Sequence, residues 1–213
     1  DAIYYSVDNG ANVLNLSLGS SYPNEKYPSI DSVEKFIDAF PDYHNAYNSA
    51  LNYAVDNNVI VVIAAGNERK NLDQGNFARP AYFSERIAGV ISVAATANTA
   101  QKANYSNYGT EITIGAPGGD GVFKGASGSD LYNALFATAP TNPQPEEYEF
   151  GPLYGYMNGT SMAAPVVTGA IALMLGENPY LNPAQVESIV QYTAFEYRSL
   201  QDIVKNGRYL NLE

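Results

Sequence analysis

Residues 59–65 have the sequence Val-Ile-Val-Val-Ile-Ala-Ala, a short apolar run that is rich in β-branched residues and shows no alternation with polar residues. Three similar runs occur elsewhere in the chain, at Val13 to Leu18, Val90 to Ala95 and Ile112 to Ala116. Runs of this kind are typical of strands in a parallel sheet that is covered by helices on both faces. The sequence therefore predicts a three-layer α/β fold around a largely parallel sheet.

Apolar residues have helical spacing in the segment between the runs at Val13 to Leu18 and at residues 59–65. From Asp42 to Asp56 such residues recur every three or four positions, which predicts a crossover helix and a β-α-β unit. A second helix is predicted from Ser32 to Ala39, with Asp31 as its N-cap and Pro41 shortly after its end. Further helices are predicted at Asp1 to Asn9, Ser161 to Leu175 and Pro183 to Thr193.

The helix predicted at Ser161 to Leu175 is hydrophobic nearly all round, so we expect it to run through the core. Before it, residues 117–156 are rich in Gly, Pro and Tyr, which predicts a long surface excursion with one short strand near Ala134 to Thr138. The helix from Pro183 has Asn182 as its predicted cap.

Composition excludes several classes of function. The chain has 213 residues, a size that suits one domain, and its 22 acidic and 11 basic residues give a formal net charge of −11. Such a charge repels nucleic acid and anionic membrane surfaces, and solubility is its simplest explanation. Without cysteine there are neither disulfides nor thiolate metal sites. Uninterrupted apolar runs are too short to predict a membrane span.

The most specific motif is Asn-Gly-Thr-Ser-Met-Ala-Ala-Pro at residues 158–165, where the predicted core helix begins. A serine at this position has a backbone N–H with no partner inside the helix, directed along the positive end of the helix dipole. An oxyanion can be bound there. On spacing alone, a Thr or Ser that merely caps a core helix is the favoured explanation of the motif.

This octapeptide resembles the nucleophile motif of the subtilases, whose usual form is Gly-Thr-Ser-Met-Ala, a small residue and Pro. Residues 59–68 resemble the strand of the same family that ends in Ala-Ala-Gly-Asn, and the likeness continues to residues 207–212. The resemblance implies a serine endopeptidase in which Ser161 is the nucleophile. It also implies that the Asn67 side chain and the Ser161 N–H bind the oxyanion of the tetrahedral intermediate. Without Ser161, the Gly66-Asn67 pair would be interpreted as an ordinary turn.

Substrate-binding residues follow from the same resemblance. The edge of the strand at residues 13–18 would pair with the substrate backbone, and the floor of the specificity pocket would be a small residue that leaves room for medium or large apolar side chains. The implied residues are Ser17, Leu18 and Gly19 on the edge, Ala64, Ala65 and Gly66 in the pocket wall, Ala78 at its floor, and Asn158.

The catalytic Asp and His of the family lie in motifs upstream of the strand at Val13, and those motifs are not in this sequence. The single histidine, His44, has no family context and is interpreted as an ordinary surface residue. Ser161 alone would be a weak nucleophile. We therefore expect the chain to be inactive by itself and to be the C-terminal part of a catalytic domain. Its N-terminal strands and the acid and base would come from a missing N-terminal segment, either cleaved and still bound or absent.

Other expectations are less direct. The family pattern is interrupted by insertions near residues 20–41 and 118–150, which bear on the shape of the substrate cleft. No cofactor is required, a structural Ca²⁺ is compatible with the resemblance, and Glu111 lies where some relatives have a cation-binding carboxylate. The expected partner is a polypeptide substrate, and the expected location is outside the cell or at its surface.

Two other functions remain open. An inactive subtilase-like domain that serves as a binding or structural module would explain the missing acid and base, although Ser161 and Asn67 favour an enzyme. An unrelated α/β hydrolase is disfavoured, because the motif lacks the Gly-x-Ser-x-Gly elbow and no histidine follows Ser161.

Overall fold

The computed structural model describes residues 1–22, 32–74, 77–121, 133–138 and 154–212. In chain order its elements are α1 (Ala2–Asp8), β1 (Val13–Leu16), β2 (Ser20–Tyr22), α2 (Val33–Ala39), α3 (Pro41–Asp56), β3 (Ile60–Ala64), β4 (Phe77–Arg79), β5 (Val90–Thr96), β6 (Ile114–Pro117), β7 (Leu135–Thr138), β8 (Tyr154–Met157), α4 (Thr160–Glu177), α5 (Pro183–Tyr192), β9 (Phe195–Glu196) and β10 (Arg208–Tyr209). All four predicted apolar runs contain a strand.

The central sheet has the strand order β1-β3-β5-β6-β10-β9. Neighbouring strands from β1 to β10 run parallel, and only the short β9 is antiparallel to its neighbour. The α/β class and the largely parallel sheet predicted from the apolar runs are therefore confirmed. Because the carboxyl ends of parallel strands lie along one edge of the sheet, the loops after β1 and β3 are brought together there.

Both faces of the sheet are covered, which explains why its strands lack alternation. In β3, Val61 and Ile63 pack in one core cluster with residues of α1, α2 and α3. Ile60 and Val62, which point the other way, pack in a second cluster with α4 and α5. Every residue of β3 is buried, so polar side chains are excluded from both sides of this strand.

The helix predicted at residues 32–39 ends at Ala39 as predicted but has a different N-cap. Its N-cap is Ser32, whose Oγ accepts a hydrogen bond of 3.3 Å from the Lys35 N–H. Asp31, the predicted cap, lies outside the described residues. Pro41 lies shortly after the end of α2, as predicted, and is also the first residue of α3, a position where a proline needs no N–H partner.

One face of α4 packs in the core, but the helix does not run through it as predicted. Ala163, Ala164, Val167 and Ile171 are buried against the sheet, whereas Leu173 on the opposite side is 72% exposed. Among the described residues, only those on the sheet side of α4 pack against this helix. By length and composition alone α4 could also cross a membrane, a property that core helices of soluble proteins share.

Two further predictions agree with the structure. Asn182 caps α5 through a capping box, in which its side chain accepts from Gln185 N and Gln185 Oε1 accepts from Asn182 N, both at 2.9 Å. The short strand predicted near residues 134–138 is β7, which pairs with β8 in antiparallel orientation. The remainder of the excursion, residues 122–132 and 139–153, lies outside the described part of the chain.

Candidate active site

A cavity of about 150 Å³ lies where the carboxyl ends of β1 and β3 meet the N-terminus of α4. Ligands of parallel α/β proteins bind at this edge of the sheet. The residues that line the cavity come from three places in the sequence and are Ser17, Leu18, Gly19, Ala64, Ala65, Gly66, Asn67, Glu68, Thr160 and Ser161.

Ser161 is the second residue of α4 and is half-buried. Its backbone N–H belongs to the first helical turn, so no carbonyl of an earlier turn can accept from it. Its hydroxyl donates a hydrogen bond of 3.3 Å to the main-chain oxygen of Ser17. The residue thus presents both a hydroxyl and a main-chain donor at the positive end of a long helix.

The Asn67 side chain has a defined orientation. Its Oδ1 accepts from the Thr160 N–H and from the Thr160 hydroxyl, both at 2.9 Å. A backbone N–H can only donate, so the oxygen must be the end of the amide that faces Thr160. The other end is therefore the NH₂ group, and Asn67 lines the same cavity as Ser161. A second contact holds this loop, because Gly66 N donates to Thr160 Oγ1 at 3.1 Å.

A chain of polar contacts fastens the end of β1 to α4. Thr168 Oγ1 donates to Asn15 Oδ1 at 3.1 Å, and Asn15 Nδ2 donates to Ser17 Oγ at 2.9 Å. Ser17 Oγ in turn donates to the main-chain oxygen of Ser161 at 2.8 Å. The strand edge implied to bind substrate is therefore held beside the implied nucleophile.

The implied substrate-binding residues are only partly brought together. Six of them, Ser17, Leu18, Gly19, Ala64, Ala65 and Gly66, line the cavity with Ser161. Asn158 is half-buried between β8 and α4 and is not among the lining residues. Ala78 lies in β4 opposite Ser21, and its side chain is outside the described part of the structure. The pocket floor therefore stays a prediction.

Two residues at the site have no counterpart in the sequence predictions. Glu68 lines the cavity, and Asn107 Nδ2 donates to Glu68 Oε2 at 2.7 Å. The position of Glu68 next to Asn67 was a usable signal for a charged wall. Asn107 lies in a separate loop with no local pattern that marks it, so only the structure connects it to the site.

His44 is remote from Ser161. It belongs to α3, in the helix layer on the opposite face of the sheet from α4, and its Nδ1 lies 2.8 Å from the Tyr82 hydroxyl. Its ring stacks on Phe83 with centroids 5.3 Å apart. Burial, and to a smaller extent the Arg86 cation, lowers the pKa of the imidazole. His44 is thus a half-buried residue with a structural contact and cannot act as the base for Ser161.

The cation-binding role considered for Glu111 stays a prediction. Within the described ranges, no three His, Cys, Asp or Glu side chains are grouped so that they could hold a metal ion. Glu111 is half-buried, and burial raises the pKa of its carboxyl group.

Comparison with known proteins gives a consistent result. Residues 1–210 match the model of the subtilase family, peptidase S8. An extracellular protease of Xanthomonas campestris pv. campestris is 37% identical over 147 residues, which are 68% of this chain and 21% of that protein. Subtilisin DY of Bacillus licheniformis is 29% identical over 192 residues, which are 90% of this chain and 53% of that protein. The chain thus spans about half or less of the length of these relatives.

Solved structures show the same fold. A protease from Pseudoalteromonas arctica is 30% identical and has a TM-score of 0.64, with 96% of this chain and 50% of that chain covered. A lanthipeptide protease at 24% identity has a TM-score of 0.71, with 98% and 62% covered, and supports the fold alone.

Proposed function

The chain belongs to the subtilase family, and on that premise we propose that it is part of a serine endopeptidase in which Ser161 is the nucleophile. The observation that carries the proposal is the convergence of Ser161 and Asn67 on one cavity, with the Asn67 amide turned so that its NH₂ group is available. Acyl transfer to a serine requires a hydroxyl nucleophile and hydrogen-bond donors for the oxyanion. Here these are a hydroxyl, a first-turn N–H and a side-chain donor around one small cavity.

The proposed reaction passes through an acyl-enzyme. Ser161 Oγ attacks the carbonyl carbon of the substrate, and its proton passes to a base. The carbonyl oxygen becomes an oxyanion that accepts from Asn67 Nδ2 and Ser161 N. Protonation of the amine expels the first product, and water then hydrolyses the ester on Ser161 by the same steps. Main-chain groups of residues 17–19 would hold the substrate backbone beside the nucleophile.

We further propose that a segment outside residues 1–213 supplies the acid and the base. The only histidine of the sequence is His44, on the far face of the sheet. β1 is at one end of the strand order, so none of the described strands occupies its outer edge. A segment paired there would lie next to Ser17 and could present side chains to Ser161. The name of the Xanthomonas relative supports secretion of the complete enzyme.

An inactive subtilase-like binding domain is the second candidate. One observation favours it: the Ser161 hydroxyl donates to the Ser17 carbonyl, and within the described residues no histidine contacts it. Such a domain would keep the cavity for peptide binding without turnover.

The test uses the natural protein that contains this chain together with whatever segment precedes it. We expect this protein to cleave a peptide substrate and to be labelled at Ser161 by a fluorophosphonate, while residues 1–213 alone show neither. Ser161→Ala should abolish both signals. Ser188→Ala, an exposed serine on α5, should leave them unchanged. Peptide binding without turnover or labelling would favour the inactive domain instead.

A further inference from the structure

Asn107 lies in a loop about forty positions after Asn67 in sequence, yet its side chain contacts the main chain on both sides of Asn67. We propose that Asn107 is a positioning residue that holds the backbone of residues 65–70, and with it the donor amide of Asn67, in the geometry that binds the oxyanion. This inference rests on the proposed peptidase function for its catalytic consequence, but its structural content can be tested separately.

The Asn107 side chain is fully buried, and both ends of its amide are engaged. Oδ1 accepts from Glu68 N at 3.1 Å and from Lys70 N at 2.9 Å. Nδ2 donates to the Ala65 carbonyl at 2.9 Å and to Glu68 Oε2 at 2.7 Å. Two backbone donors fix the oxygen end, so the amide orientation is unambiguous.

The main chain of the same loop completes this arrangement. Asn107 N donates to the Gly66 carbonyl at 2.9 Å, so the residues on both sides of Asn67 bond to one asparagine. One loop residue, Arg69, has a positive φ of 60°, a conformation that a non-glycine residue adopts only when its surroundings impose it. A free loop would relax from this conformation, whereas the bonds to Asn107 oppose that relaxation.

Gly66 shows how closely Asn107 approaches the loop. Its φ is +100°, and a Cβ at this position would lie 2.5 Å from Asn107 Nδ2 and 2.6 Å from Glu68 Oε2. Only glycine combines this backbone conformation with this close approach. The sequence Gly66-Asn67 is therefore matched to Asn107, and loss of the Asn107 amide would remove four side-chain hydrogen bonds that help to hold this path.

Two different groups thus control the Asn67 donor. Thr160 orients the Asn67 side chain through its Oδ1, and Asn107 fixes the backbone that carries it. A buried amide that loses its partners leaves several polar groups unsatisfied, and the loop then moves to recover hydrogen bonds with water. Displacement of a catalytic group by about 1 Å can lower the rate about 10²-fold.

The experiment is a double-mutant cycle in the complete protein, with kcat and KM measured for a peptide substrate. Asn107→Ala should lower kcat about 10-fold or more with KM changed by less than about threefold, because only oxyanion stabilisation is lost. In the Asn67→Ala background, the same substitution should change kcat by less than about twofold, since the group it positions is gone. An equal loss of kcat in both backgrounds would overturn the proposal.

Thr113→Val is the matched control. Thr113 is buried, and its Oγ1 accepts from Ser92 N at 3.1 Å, so the substitution removes a buried side-chain acceptor without touching the loop at residues 65–70. It should lower the Tm and leave kcat unchanged in both backgrounds. A loss of kcat that parallels the loss of Tm in both variants would show that Asn107 has only a general structural role.

A second pair of variants addresses failure to fold. Asn107→Asp keeps the acceptor for Glu68 N and Lys70 N but places a carboxylate against Glu68 Oε2. It should lower kcat, and Glu68→Gln in the same chain should restore part of that loss because the introduced side-chain amide can donate to the new carboxylate. A kcat in Asn107→Asp equal to that of the unsubstituted protein would contradict the proposal.

A measurement independent of turnover separates this inference from the proposed function. In the complete protein carrying Ser161→Ala, Asn107→Ala should speed amide hydrogen exchange at Glu68 and Lys70 and shift the side-chain NH₂ signal of Asn67, whereas Thr113→Val should do neither. If the unsubstituted protein has no peptidase activity, the proposed function fails but this result still decides the role of Asn107. An unshifted Asn67 signal would overturn the inference whatever the activity.

Discussion

At the scale of single residues, the site depends on how one amide is turned. Thr160 donates twice to Asn67 Oδ1 and accepts from Gly66 N, so the threonine directly before Ser161 orders both the side chain and the main chain at Asn67. The hydroxyl of Thr160 has no solvent exposure, which strengthens these bonds relative to bonds in water. The proposed nucleophile and its proposed oxyanion donor are therefore held by one short polar cluster.

Removal of the Asn67 donor should affect the transition state and little else. In the complete protein, Asn67→Ala should lower kcat by about 10²–10³, the range measured for removal of the corresponding donor in a subtilisin, with a much smaller change in KM. Steady-state kinetics with a chromogenic peptide would measure both. Asn57→Ala, at the exposed C-cap of α3, should leave kcat unchanged. An Asn67→Ala enzyme with undiminished kcat would remove Asn67 from the proposed mechanism.

At the scale of elements, a histidine joins α3 to the 3-10 helix at Ala81–Glu85. Neutral His44 can accept from the Tyr82 hydroxyl at Nδ1, and the Arg86 guanidinium lies 4.3 Å from the Tyr82 ring centroid. Burial and the Arg86 cation lower the pKa of His44 below its ordinary value of 6.5. The folded state therefore favours the neutral imidazole.

This contact should make part of the stability depend on pH. Between the lowered pKa and 6.5 the unfolded chain binds more protons at His44 than the folded chain, so the contribution is present above pH 6.5 and is lost as pH falls through the lowered pKa. The Tm difference between the unsubstituted protein and His44→Gln should shrink as pH falls from about 7.5 to about 5. Thermal unfolding over that range would measure it. A difference that stays constant would mean that the His44 pKa is the same in both states.

Strands were easier to predict than caps or contacts between loops. The run at residues 59–65 is apolar on both sides because β3 is buried on both faces, and this information is local. The boundary at Ser32 depends on which of two adjacent polar residues reaches the Lys35 N–H, and either residue type can do so. Asn107 acts through contacts with residues that are distant along the chain, such as Ala65. The spacing of residues along the sequence does not predict such a long-range contact.

The helix α4 shows a different limit. Its composition predicts burial all round, yet only the face toward the sheet is buried in the described structure. The composition of a hydrophobic helix shows that its surface must be buried, but it does not show which segment packs against it. The sequence therefore predicts correctly that α4 is apolar on all sides. It does not predict that the described residues bury only one of its faces.

At the scale of the whole molecule, the surfaces that the described residues leave uncovered lie close together. β1 is at one end of the strand order and contacts α4, whose outer face includes Leu173. An edge strand leaves a row of N–H and C=O groups that can pair with another chain. Exposed apolar surface costs about 25 cal/mol per Å², so a few hundred Å² correspond to several kcal/mol of a fold that has only about 5–15 kcal/mol of stability. We expect these surfaces to be covered in the native protein.

The last prediction follows from this exposure: residues 1–213 alone should self-associate, and native material should contain a second segment that covers β1 and α4. Native mass spectrometry and light scattering would measure both. Leu173→Glu places a charge on the outer face of α4 and should weaken self-association, whereas Tyr180→Glu, at a residue that is 92% exposed beyond the helix end, should not. Because Leu173 points away from the sheet, its substitution leaves the core contacts of Val167 and Ile171 in place. A monomer of the isolated chain that unfolds cooperatively would show that the edge of β1 needs no partner strand, and the proposal of a completing segment would then lose its structural basis.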